Sequence, residues 1–451
     1  MASNTVNVTW LLDENRVGKF QIGIFVLCGL VALLDGFDNL AIGFTAAPIA
    51  SALHLDLGVL GQVFAMAQVG FIIGSFVLAP LGDRLGRKWV LVAAILLMGV
   101  FTLYMVRVAS LTDLLFCRLV VGIAVGVTTP LFVSLGADYA PKRMRGLIVT
   151  SFWVGIPLGG VIAGLLSAYF IPQFGWQSIY WVGGTVPIVI AAALIVVLPE
   201  SMTFLVTRGG DPKRIRKILR RIVPHVAITD HATYVTDERK LPGVPVKHLF
   251  TDGRAVPTLL LWGAFFADFL VLFITNTWPA TLLRQAGIPV GQAAIITTFY
   301  SAGGIIGTLA VGPLVDKFGP YRVLVIGVII GAMSTGSLGF AASSFLLAST
   351  ALLFAGITIG GVGVGLVVLA STTYPTAIRS SGVGWGLGVA RCGGVVGPLL
   401  AGALVANGWK IESVFVASAA PALLAGVCLL LLRIWRASRE ITRTLSPKQV
   451  G

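Results

Sequence analysis

The chain has 451 residues, of which 57% are hydrophobic and only 11% are charged. Soluble domains carry about 25% charged residues, so this composition excludes an ordinary soluble enzyme. The net charge of +14 would suit nucleic acid, but the basic residues fall in short gaps between long apolar runs, which indicates membrane topology and no nucleic-acid partner.

Twelve apolar windows reach the length of about 20 residues that crosses a bilayer. They lie at 20–47, 57–80, 89–109, 112–137, 146–171, 178–198, 257–283, 291–314, 321–341, 344–371, 378–406 and 411–434. The windows predict an all-α membrane protein with twelve transmembrane helices in two pseudo-symmetric six-helix bundles. Residues 1–198 form the predicted N-terminal bundle, 199–256 a cytoplasmic loop, and 257–451 the C-terminal bundle with a cytoplasmic tail.

The Lys and Arg residues set the predicted orientation, because cytoplasmic loops carry an excess of them. With the N-terminus inside, all but five of the 32 fall in cytoplasmic segments. The five are Arg107, Arg284 and Lys410 outside, and Arg118 and Arg391 within spans. Both termini are therefore predicted to be cytoplasmic.

Asp35 and Asp38 place two carboxylates inside the first apolar run. On a helix they share one face, and ionisable groups at membrane depth usually line an interior path or meet a charged partner. Repulsion between two negative charges in a medium of low dielectric favours a proton on one of them. The pair is therefore a proton-coupling candidate, and a hydrated pair at the helix end is the alternative.

The two halves of the chain repeat the same loop motifs at an offset of 233 to 234 residues. The matched pairs are Pro80 and Pro313, Asp83 and Asp316, Gly86 and Gly319, Pro141 and Pro375, and Arg145 and Arg379. Such repeats are typical of secondary carriers, whose substrate site lies near the midplane between the halves. The same offset aligns Asp35 with Asp268 in the seventh span, which makes Asp268 a third proton-coupling candidate.

Four motifs resemble those of a known transporter family. Gly-Asp-Arg-Leu-Gly-Arg-Lys at 82–88 resembles the signature loop of the major facilitator superfamily, and 316–322 lies where the family repeats it. Residues 118–126 resemble its fourth-span motif, and Pro-Glu-Ser at 199–201 its sixth-span ending. Asp-Gly-Phe-Asp at 35–38 is similar to the signature of the aromatic acid:proton symporters, which carry benzoate, hydroxybenzoates and protocatechuate.

The resemblance implies a carrier in the bacterial inner membrane that works as a monomer, with no cofactor besides the coupling proton. It implies roles for a fourth-span Arg, an acid at the inner end of that span, and two eleventh-span Args, which correspond to Arg118, Asp138, Arg379 and Arg391. The gating candidates are Asp83, Arg84, Arg87, Asp138, Arg145, Asp316 and Arg379. The alternative role for the loop at 82–88 is a topology anchor. The second copy of this loop motif, at 316–322, departs from the family pattern at Val315, just before it, and at Pro320.

An aromatic carboxylate needs a cation for its charge and ring-lined walls for its body. Arg391 lies about eleven residues above the inner end of its span, hence about 16 Å deep, and it is the main candidate for the carboxylate. The other substrate-binding candidates are Arg118, Phe37, Trp153 and Trp385. The alternatives are an ion pair of Arg391 with Asp268, an Arg118 side chain that reaches the outer headgroups, and aromatic side chains that face lipid.

The sequence thus predicts a secondary active transporter, not an enzyme, that imports a monocyclic aromatic carboxylate by proton symport with alternating access. No nucleophile–base arrangement, phosphate-binding loop or metal cluster is visible in it. Two alternatives remain. One is a symporter of a non-aromatic organic anion such as a dicarboxylate or muconate, and the other is a membrane receptor that does not transport its ligand.

Overall fold

The computed structural model describes residues 5–223, 233–236, 246–251, 253–341, 344–375 and 378–445. Within them, twelve helical segments are long and apolar enough to cross a membrane, as the sequence predicted. Numbered as spans 1 to 12, they are Lys19–Ala52, Leu57–Leu85, Arg87–Arg107, Leu111–Tyr139, Lys142–Phe174, Gln177–Val197, Ala255–Thr277, Val290–Phe318, Pro320–Ala341, Phe345–Thr373, Arg379–Ala406 and Ile411–Ser438. The helix of span 12 continues to Leu445.

The spans are helical because a backbone inside lipid must satisfy its hydrogen bonds within its own segment. Three spans contain a tighter or wider turn, with π-helix at Gly74–Leu78 and Gly356–Gly360 and 3₁₀-helix at Leu57–Val59, Ala79–Leu81 and Met105–Arg107. Two begin at serine caps, where Ser110 and Ser344 accept hydrogen bonds from backbone N–H groups of the first turn.

The remaining elements are short. The helices are Val8–Glu14, Met202–Thr207, Pro212–Ile222 and Pro279–Gln285, with a 3₁₀ turn at Val246–Leu249. Strands Thr5–Asn7 and Thr233–Val235 pair in parallel, with Thr5 opposite Thr233. The strands join residues near the start of the chain to the segment between spans 6 and 7, and they form the only sheet in the described residues.

The predicted window for span 7, residues 257–283, is wrong at its end. The helix stops at Thr277, and a separate helix starts at Pro279. Proline has no N–H to donate to a preceding turn but fits the first position of a new helix. Trp278 at this break is fully buried and meets the ring of Phe64 edge to face at 5.5 Å.

The chain divides into two compact units. Unit 1 is drawn from Met1–Ala41, Val69–Ala163 and Gln173–Leu241, and unit 2 from Ile42–Gln68, Gly164–Pro172 and Pro242–Gly451. The division into bundles at residues 198 and 257 stays a prediction.

Glycine allows close helix contacts next to the candidate site residues in each unit. In unit 1, a methyl group on Gly36 would collide with the backbone oxygen of Ile156, so spans 1 and 5 touch beside Asp35. In unit 2, a methyl group on Gly393 would collide with the backbone oxygen of Phe266, so spans 7 and 11 touch near Arg391 and Asp268.

Candidate functional site

Asp38 and Arg118 form a buried ion pair in unit 1. Nη1 of Arg118 donates to Oδ2 of Asp38 across 3.1 Å, and both side chains are almost inaccessible to solvent. The Arg118 side chain therefore turns into the helix bundle and does not reach toward headgroups. Its Nε is buried without a hydrogen-bond partner, so the guanidinium retains donor capacity beyond its bond to Asp38.

Asp35 lies one turn away on the same helix and contacts the same neighbouring span. Its Oδ2 accepts a hydrogen bond of 2.9 Å from the hydroxyl of Thr129, and its Oδ1 accepts one of 2.8 Å from the side-chain amide of Asn39. The carboxyl group is buried. Span 4 thus holds both acids of span 1, through a hydroxyl at Thr129 and a guanidinium at Arg118.

The two acids differ in what their partners allow. A guanidinium only donates, whereas a hydroxyl donates and accepts. The hydroxyl of Thr129 also lies 3.0 Å from the backbone oxygen of Val125, to which it can donate instead. A protonated Asp35 can keep its hydrogen bond to Thr129, because its carboxyl group can donate to the hydroxyl oxygen of Thr129. A protonated Asp38 would instead direct its proton at the Arg118 guanidinium, which cannot accept a hydrogen bond.

The two aromatic candidates of unit 1 differ in exposure. Phe37 is buried, and its ring lies against Gly183 of span 6, where a methyl group would come within 2.8 Å of it. This contact packs span 1 on span 6. Trp153 on span 5 is half-buried. Substrate contact by either ring stays a prediction.

Arg391 lies in unit 2 among neutral and aromatic groups. Its Nη1 donates to Oε1 of Gln68 at 3.4 Å, and its guanidinium lies 5.8 Å from the centre of the Phe269 ring. The side chain is half-buried. No ion pair joins Arg391 to Asp268, although both residues are described, so the alternative pairing is absent from this conformation.

Asp268 is buried in span 7, and its Oδ2 has no hydrogen-bond partner. The hydroxyl of Tyr300 on span 8 is buried, likewise without a hydrogen bond, and lies within electrostatic range of Asp268. Oδ2 of Asp268 would be 3.1 Å from a methyl group placed on Gly363. Spans 7 and 8 thus carry two buried oxygens, Oδ2 of Asp268 and the hydroxyl of Tyr300, that have no hydrogen-bond partner.

Trp385 lies on span 11, two turns before Arg391. It is 42% exposed, and its ring stacks on that of Trp262 with a centroid distance of 6.2 Å. The role of Trp385 in binding stays a prediction.

Arg87 is the centre of the predicted gate in unit 1. Its Nη1 contacts Oδ2 of Asp138 at 2.8 Å, and its Nη2 contacts Oδ1 of Asp83 at 3.2 Å. Asp138 also accepts hydrogen bonds from the hydroxyls of Ser201 and Thr203. The end of span 2 and the start of span 3 are thereby linked to the end of span 4 and to the segment after span 6.

Glu200 links the start of span 3 to the end of span 4 through a second set of hydrogen bonds. Its Oε1 accepts from the backbone N–H groups of Lys88 at 3.0 Å and Ser201 at 2.9 Å, and its backbone oxygen accepts from the hydroxyl of Tyr139 at 2.6 Å. A carboxylate at the N-terminus of span 3 is favoured by the helix dipole. Glu200 of the Pro-Glu-Ser motif, which follows span 6, thus caps the start of span 3.

The other gating candidates are Arg84, Arg145, Asp316 and Arg379. Arg84, Asp316 and Arg379 are exposed and form no ion pair with the residues that the structure describes. Arg145 lines a small cavity together with Asp138. The two loop copies therefore differ: the first carries an ion-pair cluster, and the second does not in this conformation.

Sequence reasoning missed Thr129, Asn39 and Gln68, and it assigned no contact to Ser201. Each is a single neutral polar residue in or beside an apolar run, a signal too weak to separate from ordinary helix packing. Ser201 alone was visible, because it belongs to the motif at the end of span 6. The described residues contain no group of three or more His, Cys, Asp and Glu side chains placed for a metal ion.

Comparisons with known proteins agree with this architecture. The model of the family described as Major Facilitator Superfamily matches residues 28–278 and 260–449. The 4-hydroxybenzoate transporter PcaK of Pseudomonas aeruginosa is 33% identical over 431 residues, which cover 95% of this chain and 96% of the relative. The gallate transporter of Pseudomonas putida is 33% identical over 425 residues, 94% of each chain.

A solved structure shows the same fold. The crystal structure of a D-xylose-proton symporter matches with a TM-score of 0.73 at 18% identity, over 92% of this chain and 97% of that chain. Its similarity concerns the arrangement of helices, since the identity is low. Together with the family match and the two relatives, it shows that the chain belongs to the major facilitator superfamily.

Proposed function

We propose that this chain imports a monocyclic aromatic carboxylate of the hydroxybenzoate or benzoate type by proton symport with alternating access. The observation that carries the proposal is the position of Arg391, beside the ring of Phe269 and the amide of Gln68. A guanidinium fork matches a carboxylate, and the neighbouring ring offers a partner for an aromatic body. The names of the two relatives support this substrate class.

The coupling proton is assigned to Asp35 within the acid pair of span 1. Thr129 can form a hydrogen bond with Asp35 in both of its protonation states, whereas Arg118 can form one only with the ionised carboxylate of Asp38. Asp38 thus holds Arg118 in place as an ion pair. Asp268 is the proposed second proton site, because a carboxyl oxygen without a partner in an apolar setting is costly as part of an ion.

The gate cluster around Arg87 is proposed to open and close with the transport cycle on the cytoplasmic side. The excess of Lys and Arg in the segments on that side supports this orientation and the cytoplasmic location of both termini. The carrier works as a monomer in a bacterial inner membrane and needs no cofactor besides the proton.

The test is uptake of labelled 4-hydroxybenzoate into proteoliposomes that contain the full chain, under an inward proton gradient. Accumulation above the external concentration, abolished by a protonophore, would support proton symport. Saturable binding without accumulation would instead favour a receptor.

Competition tests the substrate class in the same assay. Excess unlabelled benzoate and gallate should reduce uptake, while muconate and simple dicarboxylates should leave it nearly unchanged. Stronger competition by muconate than by benzoate would move the proposal to non-aromatic organic anions.

A further inference from the structure

A groove of about 540 Å³ lies in unit 1, apart from the acids of span 1 and from the Arg87 ion pairs. The start of span 3, the end of span 6 and the helix Pro212–Ile222, here called the basic helix, line it. The groove therefore lies between the basic helix and the ends of two spans, at the level expected for lipid headgroups.

One wall of the groove is strongly basic. Arg214, Lys217 and Arg221 of the basic helix line it, and their spacing of three and four residues puts them on one helix face. All three are exposed, and none forms an ion pair with an acid in the part of the chain that the structure describes. Three cations thus line the groove without an ion pair to a described acid.

The basic helix is held in this position by its other face. Ile215, Leu219 and Ile222 are buried in the core of unit 1. Asp211 caps the start of the helix, because its side chain accepts a hydrogen bond from the backbone N–H of Lys213. Because its apolar face is buried, the helix carries the three cations on its other face.

The opposite wall is apolar. Leu85, Trp89, Val196 and Val197 line it, and each is 46% to 82% exposed. The last two residues end span 6, so this wall continues onto the lipid-facing surface of the protein. A soluble anion would gain nothing from these side chains, whereas an acyl chain would bury them.

The charges between the two walls leave the groove positive. Lys88 donates from Nζ to the backbone oxygen of Ile195 at 2.7 Å, and Glu200 accepts the two backbone hydrogen bonds that cap span 3. Glu200 is the single acid among the groove residues, against four cations. The balance favours an anion.

We propose that this groove binds one anionic phospholipid of the cytoplasmic leaflet, with its phosphodiester at Arg214, Lys217 and Arg221 and its acyl chain along Trp89 and Val196. Phosphate is the group that clustered guanidinium and ammonium donors recognise. A phospholipid would contact both the basic wall and the apolar wall, whereas free phosphate would contact only the basic wall.

The test is native mass spectrometry of the full chain in detergent, titrated with phosphatidylglycerol or with phosphatidylcholine of the same acyl chains. The groove variant Arg214→Gln/Arg221→Gln is compared with Lys213→Gln/Arg220→Gln, which removes the same charge from the same helix outside the groove. We expect the groove variant to bind phosphatidylglycerol roughly tenfold more weakly than wild type. The control should remain within about twofold of wild type, since its cations are further from the phosphate.

Other outcomes would overturn the site. Equal weakening in both variants would mean that only the overall charge of the helix attracts lipid. Equal binding of phosphatidylcholine would contradict recognition of a net negative headgroup, and displacement by millimolar inorganic phosphate would indicate a soluble-phosphate site. If the double variant fails to fold, the single variant Lys217→Gln takes its place and should also weaken binding of phosphatidylglycerol. Unchanged binding in Lys217→Gln would contradict the proposal. The readout uses no transported substrate, so it is independent of the proposed function.

Discussion

The hydroxyl of Thr129 donates to Oδ2 of Asp35 across 2.9 Å, and the same oxygen of Thr129 lies 3.0 Å from the backbone oxygen of Val125. One hydroxyl proton cannot serve both acceptors fully at once. The side chain is therefore suited to turn from one acceptor to the other when Asp35 gains or loses a proton.

Replacing Thr129 tests this arrangement. Thr129→Val removes the hydroxyl with little change of shape, and proton-driven accumulation should fall about tenfold or more, since hydrogen bonds to charged groups contribute about 1.5–3 kcal/mol. Thr129→Ser keeps the hydroxyl and should stay close to wild type. Equal accumulation in the Val and Ser variants would remove Thr129 from the coupling mechanism.

Asparagine at each acid of span 1 separates their roles. Asp35→Asn imitates a permanently protonated carboxyl group, so exchange of labelled for unlabelled substrate should survive better than uphill uptake, with a flattened pH dependence. Asp38→Asn leaves Arg118 buried without its counter-ion, which costs about 3–5 kcal/mol, so both activities should fall. Proportional loss of exchange and uptake in both variants, following protein level with an unchanged pH profile, would contradict a coupling role.

Arg391→Lys tests the carboxylate site. The change keeps the charge but loses the planar fork, so the apparent affinity for substrate should fall roughly tenfold, or about 1.4 kcal/mol. Arg107→Lys, at an exposed position at the end of span 3, is the matched control and should leave affinity unchanged. Wild-type affinity in the Arg391 variant would exclude this side chain from the site.

The two copies of the loop motif allow a paired test of the gate. Asp83→Asn removes the partner that Arg87 contacts at 3.2 Å, so transport should fall while substrate binding, measured by equilibrium dialysis, is retained. Asp316→Asn changes the corresponding exposed acid of the second copy and should have a smaller effect. Full transport in Asp83→Asn would contradict a gating role and leave the first loop motif as a topology anchor. Equal losses of transport in the two variants would indicate that Asp316 gains partners in another conformational state.

Helix contact in unit 2 gives a stability prediction. Gly393→Ala forces a methyl group against the backbone oxygen of Phe266 and should destabilise the protein by about 1–3 kcal/mol. Gly384→Ala on the same span meets no atom within 4 Å and is the control. Thermal unfolding in detergent measures both, and equal midpoints would contradict the close contact of spans 7 and 11.

The number of spans and the family could be predicted from the sequence, because apolar length and loop motifs are local signals. The partners of the acids could not, because they come from distant parts of the chain. Thr129 is 94 residues from Asp35, and Gln68 is 323 residues from Arg391. A single threonine or glutamine in an apolar run has no periodic pattern that would identify its partner.

The break of span 7 was missed for a related reason. Hydropathy continues through Trp278 and Pro279, so the window ran across a break between two helices that only the proline indicated. By contrast, the family resemblance singled out Asp138, and Arg87 contacts its carboxylate at 2.8 Å. Motifs give the identity of such residues, and the packing of the spans gives their partners.

The parallel pairing of Thr5–Asn7 with Thr233–Val235 has a practical consequence for labelling work. A reporter domain fused before Thr5 would compete for space with this pairing, and with the helix Val8–Glu14 that packs into the core of unit 1. A lower signal from such a fusion would then report a damaged protein and not the side of the membrane on which its N-terminus lies. Small thiol reagents on introduced cysteines avoid this problem and are the better way to map the topology.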